Sequence, residues 1–219
     1  MPYYLEVCQL VSQTIKDAPV GGSTRGPWTI AANIRGLEQL IYDCTDDPEF
    51  VHQLLLYTTE VCKSFGEAIV SMGVGLSLSE AAASCSVISP RIYREFVKPC
   101  HAAIIKHFKS KKVNMTAHVC GYIDPIMEDL IETGVVGISL DSKSSLAKLV
   151  QVSGNRVVIV GNVDTAIFEH GTPQEMERAV CKCLELTASG TPFMLASGCE
   201  VPPTSPWENV VHFLHIGRE

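Results

Sequence analysis

The sequence lacks the features expected of a membrane, secreted or nucleic-acid-binding protein. No apolar run reaches about 18 residues, so no membrane span is expected. The first residues, MPYYLEV, contain no basic segment followed by an apolar stretch, so no secretion signal is expected. The 17 basic residues are scattered and are outnumbered by 24 acidic ones, giving a net charge of −7. This distribution argues against a nucleic-acid-binding surface.

The nine cysteines also do not form the pattern of a disulfide-stabilised domain. Their number is odd and their spacing resembles no small secreted scaffold, which favours reduced thiols in a cytoplasmic protein. No linker or low-complexity segment divides the chain. A length of 219 residues with 46% hydrophobic content is enough for one globular core, so residues 1–219 are expected to form a single domain.

Short β-prone runs alternate with amphipathic helical patterns, which is typical of a parallel α/β sheet. The predicted strands are Ala18–Ser23, Gly75–Glu80, Lys112–His118, Val136–Asp141, Val157–Asn162 and Phe193–Ser197. Predicted helices begin where a capping side chain precedes a proline, at Asp47, Ser89, Asp124, Thr172 and Ser205. The last two also read as capping boxes, with Glu175 and Glu208 three residues on. The helix from Pro48 should end near Met72.

Six parallel strands fit two architectures, an open doubly wound sheet or three-quarters of an eight-stranded barrel. Both place their chemistry at the carboxyl ends of the strands. The polar residues that fall at or near such ends are Ser23, Glu80, His118, Asp141, Asn162 and Cys199.

Three of the residues at strand ends are ligands that a soft metal ion prefers. His118 and Cys120 stand two positions apart, and Cys199 follows the last predicted strand. One imidazole and two thiolates can bind zinc tetrahedrally and leave a fourth position for water or substrate. The alternative is that these are ordinary buried cysteines and a hydrogen-bonded histidine.

Several motifs together resemble the uroporphyrinogen decarboxylase superfamily, from about Pro19 to the last helix. They are Gly26-Pro27-Trp28-Thr29, Ile88-Ser89-Pro90 with Tyr93 and Phe96, His118-x-Cys120-Gly121, Gly161-Asn162-Val163-Asp164, and Ser197-Gly198-Cys199-Glu200 with Pro203 and Pro206. Within the superfamily, the two cysteine motifs are similar to the branch of cobamide-dependent methyltransferases. The decarboxylase branch fits less well, because it carries a Gly-His-Gly-type segment where this chain has Ser197-Gly198-Cys199. Its arginine-rich N-terminal segment is also missing.

The resemblance implies a (β/α)8 TIM-barrel fold and a zinc ion held by His118, Cys120 and Cys199. It implies transfer of a methyl group from a methylcobamide on a corrinoid protein to a small thiol such as coenzyme M. Members of this family exceed 300 residues, so the resemblance also implies an N-terminally truncated barrel of about six strands. A second copy or a complementing chain would then cover the open edge. The alternatives are a porphyrin-binding decarboxylase that uses no metal, and a catalytically reduced partner subunit.

Two carboxylates are candidates for catalytic roles beside the metal. Glu80 ends a predicted strand and would be a fourth zinc ligand displaced by the substrate thiol, or a base that takes the thiol proton. Its alternative role is to cap the next turn. Asp141 would orient the His118 ring through a hydrogen bond, or would cap the helix near Ser144.

Three further residues are candidates for substrate contacts. Arg25 follows the first strand and would pair with a sulfonate or carboxylate on the thiol, unless it is a solvated loop residue. Asn162 would hold a substrate oxygen, unless it serves the turn in which it lies. Ser84 follows Glu80 after three alanines and is the third candidate.

Overall fold

A computed structural model describes residues 2–188 and 190–217, which form one parallel sheet with helices packed against it. The strands are β1 (Gly21–Arg25), β2 (Gly75–Glu80), β3 (Met115–Val119), β4 (Gly137–Ser139), β5 (Val158–Val163) and β6 (Phe193–Ser197). They pair in the order β1-β2-β3-β4-β5-β6, and every pair is parallel. A doubly wound sheet reverses its strand order at a switch point, whereas this order runs in one direction, as in a barrel of the TIM type.

Helices connect the strands and cover the outer face of the sheet. They are α1 (Pro2–Thr14), α2 (Pro27–Arg35), α3 (Leu37–Asp46), α4 (Pro48–Ser71), α5 (Pro90–Ile92), α6 (Lys98–Ser110), α7 (Met127–Glu132), α8 (Leu146–Ser153), α9 (Thr165–His170), α10 (Pro173–Thr187) and α11 (Trp207–Ile216). Within residues 2–188 and 190–217, none of the helices combines the length and the hydrophobicity of a transmembrane segment.

The six predicted strands are confirmed, with shifted ends. β4 and β5 each begin one residue later than expected, and β4 ends at Ser139 rather than Asp141. The largest shifts, of three residues, are at the starts of β1 and β3. β1 begins at Gly21 rather than Ala18, since Pro19 has no N–H to donate to a ladder. β3 begins at Met115 rather than Lys112, which has a φ of +62° and therefore belongs to a turn. Both strands also end later than expected, so Arg25 and Val119 are the last residues at the carboxyl ends of β1 and β3.

The helix predictions are confirmed in part. α4 runs from Pro48 to Ser71 with Asp47 as its cap, and Thr172 and Glu175 form the expected capping box of α10. Ser89 caps α5, where its hydroxyl accepts a hydrogen bond from the Ile92 N–H at 3.2 Å. The remaining two of the five predicted caps, Asp124 and Ser205, are wrong. The Asp124 carboxylate accepts a hydrogen bond from the Ser145 N–H instead of capping its own turn. Helix α11 begins after Pro206 without a side-chain cap, so Ser205 and Glu208 form no box.

The two faces of the sheet differ in polarity. On β2, Leu76, Leu78 and Glu80 are buried beneath the helices, while Ser77 and Ser79 line a cavity on the opposite face. A barrel interior is ordinarily filled by bulky apolar side chains. Hydroxyl groups here leave room for water or a polar ligand.

Strands β1 and β6 are the two edges of the sheet among the described residues. At the β1 edge, the Tyr4 hydroxyl accepts a hydrogen bond from the Ser23 N–H at 2.7 Å and donates one to the Ser23 carbonyl at 3.3 Å. This side chain takes the place of a neighbouring strand at that point, which satisfies backbone groups that would otherwise be open to pairing.

Candidate metal centre

His118 and Cys120 reach the same side of the sheet because they are two residues apart at the end of β3. Alternate residues of a strand face the same side, so the intervening Val119 is buried under the helices. The Cys120 N–H continues the ladder by donating to the Glu80 carbonyl at 2.9 Å. The backbone therefore carries the thiol one step beyond the strand in an extended path.

Cys199 approaches this pair from the loop that follows β6. The Gly198 N–H donates to the Val163 carbonyl at 2.7 Å, and the Ser197 hydroxyl donates to the Cys199 carbonyl at 2.7 Å. Gly198 packs directly against the loop after β4, where an added Cβ would lie 2.6 Å from the Ser142 nitrogen. The absence of a side chain at residue 198 thus permits the approach that brings Cys199 to the cluster.

The ligand atoms of His118, Cys120, Asp141 and Cys199 all lie within 4.8 Å of one another. The Cys199 sulfur is 3.8 Å from the Cys120 sulfur and 3.7 Å from His118 Nε2. Zinc–sulfur bonds of about 2.3 Å at tetrahedral angles separate two sulfur ligands by about 3.8 Å. The donor types and their separations therefore fit a zinc ion.

The second nitrogen of His118 is held by a residue that sequence analysis did not single out. His118 Nδ1 lies 3.0 Å from the carbonyl oxygen and 3.2 Å from the hydroxyl of Ser139. Donation from Nδ1 to that carbonyl leaves Nε2 with a free lone pair directed at the two sulfurs. Ser139 is the residue of β4 that lies opposite His118 in the parallel register. Aligning the two predicted strands in that register would have identified it.

Asp141 joins the cluster but does not perform the orienting role expected of it. Its carboxylate accepts hydrogen bonds from the Gly121 and Lys143 N–H groups, at 2.8 and 2.9 Å, and lies 3.5 Å from the Cys120 sulfur. The His118 ring is held by Ser139 instead. Asp141 thus fixes the turn after Cys120 and the loop after β4, and its carboxylate oxygen is the fourth donor atom of the group.

The thiol of Cys120 lies in surroundings that oppose its ionisation. Burial, followed by the neighbouring Cys199 and Asp141 groups, raises the pKa of Cys120 to about 12. A bound dication reverses this preference, because a coordinated thiol loses its proton. The cluster is therefore suited to a cation and poorly suited to hold free thiolates.

The cluster opens on a cavity of about 500 Å³ on the inner face of the sheet. Most of the side chains that line it are of polar types. They come from β1 to β4, β6 and the loops after β2, β3 and β6: Ser23, Arg25, Ser77, Ser79, Ala81, His118, Cys120, Ser139, Ala196, Ser197, Cys199 and Glu200. Arg25 lines this cavity as the last residue of β1, and it is the only arginine or lysine in the lining among the described residues.

Glu80 lies elsewhere, so its expected roles as fourth ligand or base do not fit the structure. Its side chain is fully buried on the outer face of the sheet. The two carboxylate oxygens accept hydrogen bonds from the Trp28 N–H and from the N–H and hydroxyl of Thr29. Glu80 caps a helix, as its alternative role proposed, but the helix is α2 and precedes it in the chain.

Ser84 and Asn162 also lie outside the cavity lining. Ser84 is buried behind the Cys120–Gly121 turn, where a Cβ on Gly121 would come within 2.7 Å of its hydroxyl. The Asn162 amide donates to the carbonyl oxygens of Asp141 and Ser144, so it holds the loop after β4. Its surroundings form a separate cavity of about 430 Å³.

The chain is similar to known methyltransferases in sequence and in fold. The chain is 25% identical to the methylcobamide:CoM methyltransferase MtaA of Methanosarcina barkeri over 96% of its length. The solved structure of a methyltransferase from Methanosarcina mazei superposes on 99% of the chain with a TM-score of 0.89 and 26% identity. The chain covers 61% of the first protein and 64% of the second.

A decarboxylase is also among the relatives, at a comparable sequence identity. The chain is 28% identical to the uroporphyrinogen decarboxylase of Vesicomyosocius okutanii over 88% of its length, and covers 57% of that protein. A family model described as uroporphyrinogen decarboxylase (URO-D) matches residues 1–219. The chain belongs to the uroporphyrinogen decarboxylase family.

Proposed function

We propose that this protein is a zinc-dependent methyltransferase that moves a methyl group from a methylated corrinoid to a thiol such as coenzyme M. The observation that carries the proposal is the meeting of His118, Cys120 and Cys199, whose donor atoms come from β3 and from the loop after β6. The methylcobamide:CoM methyltransferases among its relatives support the corrinoid donor and the thiol acceptor.

His118, Cys120 and Cys199 would hold the zinc ion, with Asp141 as the nearest further donor. Zinc, when bound, lowers the pKa of a coordinated thiol so that its sulfur is a nucleophile at neutral pH. Ser139 fixes the tautomer in which His118 Nε2 is a ligand. In the overall transfer, carbon moves from cobalt to sulfur, the electron pair of the broken bond stays on cobalt, and the thiol proton passes to solvent.

The cavity beside the cluster suits a small polar thiol. Arg25, Ser79 and His118 occupy one row of the sheet on three adjacent strands. Neighbouring strands are about 4.8 Å apart, so the backbone of Arg25 is about 10 Å from that of His118. A short thiol with an anionic end group can therefore lie with its sulfur near the cluster and its charge near the guanidinium.

The methyl donor would arrive on a corrinoid protein, which must approach the carboxyl ends of the strands because the cluster lies there. The same proposal includes a second copy or a complementing chain beside β1 and β6. The chain spans about 60% of the length of the curated relatives described above.

Zinc binding by the purified chain tests the proposal directly. We expect one zinc per chain, and we expect His118→Ala and Cys199→Ser to weaken binding by more than about 100-fold, because each removes a ligand. Competition with a chromophoric chelator measures the affinity. Cys181→Ser is the matched control, since Cys181 is an exposed cysteine outside the cluster. Equal zinc affinity in wild type and both ligand variants would refute the site.

The decarboxylase relatives make porphyrin binding the second candidate. A chain that binds porphyrinogens and no zinc would favour it. Thiol-dependent formation of cobalt(I) from methylcobalamin, followed by absorbance, would favour methyl transfer. A stable zinc-loaded chain without that activity would instead favour the partner-subunit alternative.

A further inference from the structure

Glu80 is the centre of a buried polar group that the chemistry above does not use. Glu80 and His101 each have an exposed fraction of 0%. His101 Nε2 lies 3.3 Å from Glu80 Oε1, and His101 Nδ1 lies 3.2 Å from the Tyr93 hydroxyl. With the two N–H groups and the hydroxyl at the start of α2, Glu80 therefore has four hydrogen-bonding neighbours. A buried carboxylate needs such partners, because desolvation would otherwise make it very costly.

This group holds the turn on which Arg25 lies. Gly26 connects Arg25 to α2, and its N–H donates to the Ser79 carbonyl at 2.8 Å. A Cβ on Gly26 would lie 2.0 Å from Glu80 Oε1, so the backbone of the turn rests directly on the carboxylate. The Arg25 carbonyl is fixed from the other side by the Cys62 thiol at 3.0 Å. The turn is thus located between Glu80 and α4.

The side chain carried by this turn faces the cavity. Arg25 is exposed and lines the cavity on the same sheet row as His118, and its guanidinium has no protein hydrogen-bond or ion-pair partner within the described parts of the chain. Because the Arg25 backbone is fixed and its guanidinium has no partner among the described residues, the guanidinium is available to an anionic ligand.

We propose that Glu80 is a positioning residue that fixes Arg25 at the cavity wall and thereby makes the site select thiols with an anionic end group. The inference rests on the proposed function, since it concerns the thiol of that reaction. It assigns Glu80 no contact with metal or substrate. Its effect passes through the first turn of α2 and the Arg25–Gly26 backbone.

Thiol affinity in the Co²⁺-loaded chain tests this role without requiring turnover. Co²⁺ in a site of two sulfurs and one imidazole has visible absorption that changes when a thiol binds. Titration with 2-mercaptoethanesulfonate and with 2-mercaptoethanol gives two dissociation constants, and their ratio measures selection for the anion. We expect Glu80→Gln to reduce the preference for the sulfonate about tenfold, because the glutamine N–H₂ donor must face the N–H of either Trp28 or Thr29, which then loses its acceptor.

The direction in which the thiol preference changes distinguishes positioning of Arg25 from a purely electrostatic effect of the Glu80 charge. Removing a negative charge near the cavity would by itself strengthen binding of an anion. Weaker sulfonate binding in Glu80→Gln therefore supports positioning. Tighter binding, an unchanged ratio, or an equal loss for both thiols would overturn it.

Further variants distinguish a specific loss of positioning from a general folding defect caused by Glu80→Gln. Thr29→Val removes one donor to Glu80 and should shift the ratio in the same direction, while Thr29→Ser should restore it. In an Arg25→Gln background, Glu80→Gln should cause no additional shift, because the two residues act on one interaction. Glu67→Gln is the matched control, as Glu67 bonds Lys111 and His107 on the surface.

Failure of the proposed function would be recognised separately. A wild-type chain that binds neither Co²⁺ nor zinc contradicts the proposed function and this inference with it. A chain that binds the metal and both thiols, but whose selectivity is insensitive to Glu80 and Thr29, contradicts only the role of Glu80.

Discussion

Two polar clusters lie at the ends of the neighbouring strands β2 and β3, and they differ in almost every physical respect. The cluster of His118, Cys120 and Cys199 is half-buried and opens on a cavity. The cluster of Glu80 and His101 is sealed beneath the helices and has its hydrogen bonds satisfied within the protein. The first cluster has nitrogen and sulfur atoms available to bind a metal ion. In the second cluster, the hydrogen-bonding groups are already paired within the protein.

The parity of the strand residues accounts for this difference. In the sheet register Ser79 pairs with His118, while Glu80 pairs with Val119. Because successive residues of a strand face opposite sides, a shift of one position moves a carboxylate from the cavity to the helix layer. Polar residues at neighbouring strand ends can therefore lie on opposite faces of the sheet, one at the cavity and the other beneath the helices.

The largest effect expected from this comparison is on stability. Glu80→Ala should lower the free energy of unfolding by about 3–5 kcal/mol, because it leaves His101 and the first N–H groups of α2 buried without an acceptor. Denaturant unfolding of the metal-free chain measures the loss.

The matched control is Glu67→Ala, which removes a carboxylate that is bound to Lys111 and His107 at the surface and is half exposed. Its cost should be small, because ion pairs at the surface contribute little to stability. A loss for Glu80→Ala no larger than that of the control would contradict a sealed, structural cluster on the outer face.

Most of the fold follows from local signals, while the site follows from them only in part. Periodicity and proline-led helix starts predict six strands and the long α4, and the carboxyl ends of the strands indicate where to look for chemistry. The spacing of His118 and Cys120 already places them on one face. The partner of the His118 ring and the direction of Glu80 depend on register, which local propensity does not determine.

The next effect concerns the loop that carries Cys199. Gly198→Ala adds a Cβ that would lie 2.6 Å from the Ser142 nitrogen, a backbone atom that cannot turn aside as a side chain can. The loops after β4 and β6 must separate, so we expect zinc affinity to fall about tenfold and stability to fall by about 1–3 kcal/mol.

Gly21→Ala provides the control for that substitution, because the nearest atom to its added Cβ is 4.0 Å away. Chelator competition should give wild-type zinc affinity for this variant. If Gly198→Ala binds zinc as tightly as Gly21→Ala, the close approach of the two loops does not set the position of Cys199.

The smallest expected effect is that of Ser139→Ala, which tests how the open cluster is itself supported. The substitution removes the hydroxyl 3.2 Å from His118 Nδ1 but keeps the carbonyl at 3.0 Å, so the ring retains its principal acceptor. We expect zinc affinity to fall by less than about tenfold, well short of the loss in His118→Ala. Ser77→Ala, which alters the same cavity wall without touching His118, should leave the affinity unchanged. If Ser139→Ala lost as much zinc affinity as His118→Ala, the hydroxyl rather than the backbone carbonyl would select the tautomer in which Nε2 is a ligand. The metal cluster would then depend on supporting side chains as fully as the buried cluster around Glu80 does.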